Sequence, residues 1–447
     1  MLKYPIKRCD FRLSLRTQTK RPGPVRKILL TTFGSYGDLH PFLAMGRVLK
    51  SHGDEVTVAT HVDYRDQVER LGIRFVPIKP GLEEVGPQEE WAHKANHAFN
   101  GVEFIIKSLV LPYLKESYDA IKSTAVGHDL IISHVLTFAS PIVAEELGIP
   151  WLSTALQPSP FFSAYDPPAL GFLTFLPRLK FIGPKWMGRL LKLLALPTKG
   201  WLRPLASLRA DAGLPPSSKN ALVEGFSPHG TIALFPSAFA APQPDWPTPL
   251  RQVGFPLFDE ETTSEISPGL RQFLASGEPP VVFTLGTAIV QMETSYFEVA
   301  YEAMKQLGGR AVFLVGKQPR RLPPSALSDP NIHVSSYEPF SGLFPHAAAI
   351  VHQCGIGTTA QALASGRPQV PVPFAHDQPD NARRIVELGL GHAVPARRLN
   401  VSRLVTALSN VTQTDEFSRR ASNFVTEMQV GGFEQRLKEA ISDSLSR

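Results

Sequence analysis

The segment VHQCGIGTTAQALASGRPQVPVPFAHDQPDNA spans residues 351–382. It pairs a glycine turn (Gly355, Gly357, Thr358, Thr359) with an acid beside an amide, Asp377 and Gln378. Glycines between a strand and a helix let the backbone approach a ligand closely and leave N–H groups bare. A helix starting there adds the positive end of its dipole, so the point binds anions, phosphate above all. The threonine hydroxyls add donors. By itself the segment is equally a tight strand-to-helix turn with a threonine cap. Asp377 and Gln378 follow the apolar run at residues 368–374, at a strand's carboxyl end, where open α/β sheets bind ligands. An acid beside an amide suits sugar hydroxyls; the alternative is a polar loop tip. A phosphate turn near a polyol-binding pair points to a nucleotide sugar. Two absences narrow the ligand further. No P-loop GxxxxGK[ST] is formed, and the earlier turn GSYG at residues 34–37 is not the dinucleotide GxGxxG.

These residues need elements to hold them. Residues 28–33 read as a buried strand, Gly34 and Gly37 as a turn, and Phe42, Met45 and Leu49 as a helix after Pro41. A strand at 56–60 completes a βαβ unit, which implies a parallel sheet. The pattern continues with a strand at 130–133, a helix near 141–147 and a strand near 151–154. Between 158 and 205 it breaks into a stretch rich in Pro, Phe, Leu and basic residues, with one amphipathic helix in PKWMGRLLKLLAL. Six prolines between Pro236 and Pro256 read as a semi-rigid linker. Strand–helix alternation then restarts, with a helix expected at 359–365. The expected division is a basic arm (1–25), a first lobe (26–240), a linker (241–258), a second lobe (259–430) and a C-terminal helix (431–447).

The totals exclude several classes. With 447 residues, 43% hydrophobic and 19% charged, the chain is globular rather than disordered. Two cysteines, Cys9 and Cys354, build no disulfide framework or zinc site and favour a reducing compartment. The net charge of +6 is misleading, because residues 1–27 carry +8 and leave −2 for the rest. A nucleic-acid-binding body is therefore not expected. Neither a secretion signal nor a membrane span is read, and the expected location is cytoplasmic.

The motifs GSYGDLHPFLAMGRVLKSHGDEV, LFPSAFAAPQPDWPTPLRQVGFPLFD, VVFTLGT and the 351–382 segment occur in a telling order. In them the chain resembles the nucleotide-sugar-dependent glycosyltransferases of the GT-B fold, over about residues 26–430. The group it is most similar to comprises bacterial rhamnosyltransferases and antibiotic and sterol glycosyltransferases. The resemblance implies an α/β protein of two Rossmann-like, doubly wound lobes facing across a cleft. It implies that Gly355, Gly357, Thr358 and Thr359 face the donor diphosphate, and that Asp377 and Gln378 hold the sugar. Thr287 would reach the phosphates from the other side, and Tyr337 opens the segment that packs on the base. Many members carry a phosphate-binding histidine where Gln353 stands, with His352 one place earlier. Glutamine donates a hydrogen bond but carries no positive charge. Asp38 matches the family's base in GxxGDxxP, with helix capping as its alternative role; His134 stands where plant-type members have the supporting acid.

The resemblance further implies an inverting transfer of a hexose or deoxyhexose from UDP or dTDP to a hydroxyl on an apolar acceptor. It implies no metal and no cofactor beyond the donor. Residues 158–205 would form a lid or entrance for a hydrophobic or lipid acceptor, with peripheral contact to the inner membrane face. An ordinary amphipathic helix closing the lobe is the alternative. Two other functions fit the fold: a nucleotide-sugar epimerase, and a silent accessory protein.

Overall fold

A computed structural model describes residues 25–97, 99–171, 173–259, 265–286, 295–316, 322–429 and 432–445. Seven strands form the first sheet: β1 (Lys27–Thr31), β2 (Glu55–Thr60), β3 (Arg74–Pro77), β4 (Leu130–Ser133), β5 (Trp151–Ala155), β6 (Thr231–Ala233) and β7 (Leu250–Gln252). All pair in parallel, in the order β3-β2-β1-β4-β5-β6-β7. The second sheet holds β8 (Val281–Thr284), β9 (Ala311–Leu314), β10 (Ile332–Ser335), β11 (Ala349–His352) and β12 (Gln369–Pro371). It too is parallel, in the order β10-β9-β8-β11-β12. Central strands such as β4 and β8 are buried along their whole length, which is why they read as continuous apolar runs.

In each sheet the order reverses once, between β1 and β4 and between β8 and β11. At such a switch point the connections leave in opposite directions and open a crevice at the strands' carboxyl ends. Six helices matter here: α1 (Tyr36–Ser51), α2 (Ala139–Leu147), α3 (Pro184–Trp201), α4 (Ile356–Ala364), α5 (Gln378–Glu387) and α6 (Phe433–Leu445). α1 follows β1 and α4 follows β11, so each switch point faces a helix N-terminus.

The lobes are joined by one apolar cluster. Phe42, Phe235, Phe255 and Phe258 of the first lobe share it with Cys354, Ile356, Ile385 and Phe424 of the second. The chain also crosses back: Leu437, Ala440 and Ile441 of α6 pack into the same cluster, and Arg251 reaches Asp443 at 2.8 Å. The stretch expected as a linker, residues 241–258, contains β7, the edge strand of the first sheet. Its Trp246 packs tilted against Phe161, with ring centroids 4.7 Å apart. An edge strand tolerates neighbouring prolines because one side of its ladder is open.

A charge cluster adds to the seam. Asp380 of α5 is fully buried; it accepts the Ala169 N–H at 3.0 Å and the Arg384 Nε at 2.9 Å. Arg384 also donates to Asp166 at 2.7 Å, and Arg383 bonds both acids. Burial raises the Asp166 carboxyl, but Arg384 and Arg383 outweigh it and bring it down to about 2. No helix among the described residues is long and apolar enough to cross a membrane.

A carboxylate held low in the folded state stabilises the fold above its ordinary range, and that stability is lost as pH falls through the folded value. Asp166→Asn is expected to lose at least about 2 kcal/mol at neutral pH. The gap to the parent should close between about pH 4 and 2, as urea unfolding across pH would show.

Candidate active site

At the first switch point the chain leaves β1 through Gly34, whose φ of +134° is poorly open to other residues. A Cβ there would lie 2.3 Å from the Asp38 carboxylate. Gly34 is held from both sides: its N–H donates to His61 Nε2 at 3.3 Å, and its carbonyl accepts from the Tyr64 hydroxyl at 3.0 Å. Asp38 does cap α1. Its Oδ2 accepts from the Ser35 N–H at 2.8 Å and the Ser35 hydroxyl at 3.1 Å, closing a capping box. Its other oxygen, Oδ1, lies 3.5 Å from His134 Nε2. His134 follows β4 directly and is nine-tenths buried or more. Burial pulls its pKa down while Asp38 pulls it up, and burial wins. His40 sits elsewhere, its ring 5.2 Å from Phe258, and burial lowers its pKa to about 4.

At the second switch point α4 begins three residues earlier than the sequence pattern places it. Gly355 is the N-cap, so Gly357, Thr358 and Thr359 lie in the first helical turn rather than in the loop. The left-handed bend is made by Cys354, at φ +68°, and not by either glycine. Its thiol is buried and its carbonyl accepts from Asn381 Nδ2 at 2.9 Å, so the bend is fixed from below. Open space surrounds the place where a Cβ on Gly357 would stand, and Gly355, Gly357 and Thr358 keep some exposure. Thr359 is wholly buried, against the Cys354 thiol.

His352 also lies beneath the turn. Its Nε2 pairs with Gln369 at 2.9 Å, its Nδ1 accepts the Cys354 N–H at 3.2 Å, and burial lowers its pKa to about 4. It is a neutral brace. Gln353 fills the gap between β11 and the loop after β8, where a Cβ on Gly286 would meet its Nε2 at 2.4 Å. Its carbonyl oxygen is buried without a partner among the described residues.

Asp377 stands at the N-cap position of α5 without a side-chain capping bond, and lies deep in protein while keeping some exposed surface. Burial, with a lesser push from Asp38, raises its carboxyl to about 7 against the pull of the Asn381 amide at 2.6 Å. Gln378 turns its carbonyl inward, to the Phe374 and Ala375 N–H groups at 2.9 and 3.2 Å. The field of Asp38 also reaches His376, which has a left-handed backbone (φ +57°) and lies against the Ala95 carbonyl of the first lobe. Asp38, His134, His376 and Asp377 therefore come together across the seam.

Tyr337 stands half-exposed after β10. Thr287 lies outside the described residues. Sequence reading missed His376, Asn381, His61 and Tyr64. Asn381 was within reach, since it falls four residues after Asp377 on one helix face. Nothing local marks the other three, which are brought in by the lobe interface or by β2.

Known proteins resemble the chain over both lobes. Residues 28–163 match the family "Glycosyltransferase family 28 N-terminal domain". Residues 315–433 match "Erythromycin biosynthesis protein CIII-like, C-terminal domain". The chain is 31% identical over 410 residues to O-mycaminosyltylonolide 6-deoxyallosyltransferase of Streptomyces fradiae, covering 88% of this chain and 92% of that protein. It is 28% identical to glycosyltransferase GtfE of Amycolatopsis orientalis, over 87% of this chain and 91% of the relative. A sterol 3-beta-glucosyltransferase of Debaryomyces hansenii is 26% identical over 90% of this chain, which spans only 26% of that longer protein. The crystal structure of CalG4, the calicheamicin glycosyltransferase, superposes with a TM-score of 0.69 at 18% identity, covering 95% and 99% of the two chains. The fold is GT-B. The chain belongs to this glycosyltransferase family and is an enzyme of that class.

Gly34→Ala forces a side chain into the space of the Asp38 carboxylate, at a backbone angle that L-residues avoid. It is expected to cost about 1–3 kcal/mol in urea unfolding, and to break the Ser35–Asp38 capping box in a crystal structure of the variant.

Proposed function

We propose that the enzyme is an inverting, metal-independent transferase. It would move a hexose or deoxyhexose from a UDP- or dTDP-sugar to a hydroxyl of a hydrophobic natural-product, sterol or lipid acceptor. The observation that carries this reading is the placement of Asp38 and Asp377 on opposite lobes, Asp38 at the first switch point and Asp377 after β12, with Asp377 inside the field of Asp38. The acceptor hydroxyl gives its proton to the free edge of the Asp38 carboxylate. Its oxygen attacks the anomeric carbon from the face opposite the nucleotide. The bond from that carbon to the diphosphate oxygen breaks, and the electron pair leaves with the diphosphate. Neutral His134 orients Asp38 from behind. The N–H groups of the first turn of α4 take the diphosphate's negative charge, and the hydroxyl of Thr358 adds a donor. Gln353 stands where a cation would help most, so the helix end carries more of that load. Asp377 and the amide of Gln378 hold sugar hydroxyls, and Tyr337 covers the base.

Family membership supports the donor class. Solved structures of related fold include VinC in complex with DTDP. Two of the relatives named above carry the names of O-mycaminosyltylonolide and of sterols as acceptors, which supports an apolar acceptor. We further propose that the reaction takes place in the cytoplasm, with peripheral contact at the inner membrane face.

General bases contribute about 10²–10⁴-fold. Asp38→Asn should lower kcat by that factor and, well above pH 7 where Asp377 is ionised in both proteins, leave the donor KM unchanged; a variant of full activity would sink the assignment. A product of retained configuration, or activity abolished by EDTA, would overturn the inverting and metal-free parts.

Asp377 accepts two sugar hydroxyls best as a carboxylate, and its pKa lies at about 7. Donor KM should therefore fall as pH rises through that value. Asp377→Asn should flatten the dependence, as initial rates across pH would show.

A further inference from the structure

Residues 167–210 hold eight lysines and arginines and no aspartate or glutamate. The chain's total is +6 and residues 1–27 carry +8, so the rest of the molecule, outside these two stretches, carries −10. The fold gathers much of the basic stretch on one surface. Met187, Leu191 and Ala195 of α3 face inward, and Met187 and Leu191 form a small separate core with Leu176. Trp186, Leu193 and Leu196 face outward, 60%, 61% and 53% exposed, and Phe181 just before the helix is 81% exposed. Steps of seven and three residues set the three helical side chains along one stripe. Lys185, Arg189, Lys192 and Lys199 flank it, all exposed, and form no ion pair among the described residues. The Arg189 guanidinium lies 4.7 Å from the Trp186 ring.

We infer that α3 and the turn before it are a docking face for an anionic bilayer. An apolar stripe carrying tryptophan and flanked by lysine and arginine matches the interfacial zone, where ring and aliphatic groups enter the acyl boundary and cations meet lipid phosphates. A second copy of the chain fits poorly, because two faces of the same strong positive charge would meet. The face is tied to the cleft: Lys180 bonds Asp166 at 3.0 Å, and Asp166 bonds Arg384 of α5, the helix with Asp377 at its N-cap position. A docked enzyme thus keeps its catalytic seam beside the membrane, where an apolar acceptor can enter without crossing water. The inference does not depend on Asp38 being the base.

The test is co-sedimentation of the full chain with vesicles of phosphatidylcholine, with and without phosphatidylglycerol, at low and high salt. Tryptophan emission is read in parallel. The parent should bind the anionic vesicles at low salt, release at high salt and show a blue shift that Trp186→Phe reduces. Neutralising Lys185, Arg189 and Lys192 together to Gln should weaken binding on the order of a hundredfold, about fivefold per charge. All three residues are exposed, so the variant should unfold at the parent's temperature; the single Lys192→Gln, with about a fivefold loss, serves if it does not. Absence of parent binding to anionic vesicles at low salt would overturn the inference. Undiminished binding by the triple variant would do the same, by assigning the contact to the basic arm. Retention on polyglutamate without vesicle binding would assign the face to an acidic protein and overturn the lipid reading.

Discussion

The geometry of the candidate site depends on one apolar core that runs through both lobes. Two parallel sheets each open a crevice at a switch point, but a crevice on one lobe holds only half a reaction. Packing of Phe42, Phe235 and Phe258 against Ile356 and Ile385 brings the two crevices face to face. The helix α6 and the Asp166–Arg384–Asp380 cluster hold them there. Because apolar contact is non-directional, it closes the seam without fixing its register. The buried charges, whose bonds have required directions, supply the register.

That closure sets the electrostatics. A carboxylate buried near another carboxylate is disfavoured as an anion, and Asp377 accordingly holds its proton to about pH 7. Histidines buried at the same seam are disfavoured as cations, and His134 and His376 are shifted down. The seam between the lobes is thus poor in mobile charge until a ligand arrives. A charge that enters or forms there is felt strongly, since buried charges are weakly screened.

The two glycine turns solve different problems. At Gly34 a side chain is excluded because the Asp38 carboxylate occupies its place. At the second turn the bend falls on Cys354, and the glycines instead leave the helix end uncovered. Sequence inspection treats both as glycine turns. The distinction rests on φ values and close approaches that a string of letters does not contain.

Sequence alone determined much. The apolar runs at β1, β4, β8 and β11 and the turns after them sufficed for two parallel lobes, because a fully buried strand must be apolar on both faces. The acid–amide pair and the turn at 355–359 stood out as a candidate ligand site for the same local reason. Tertiary structure decided what depends on distant partners. It put β7 and α6 in the first lobe, although the proline-rich stretch read as a linker; edge pairing and helix docking are settled by neighbours far along the chain. It turned His352 into a buried brace, because Gln369 comes from the adjacent strand. It brought His376 and Asp377 from one lobe to Asp38 and His134 of the other, more than two hundred residues away. Periodicity reports what a residue does to its own element. Which side chains meet across a seam is fixed only when both elements are packed.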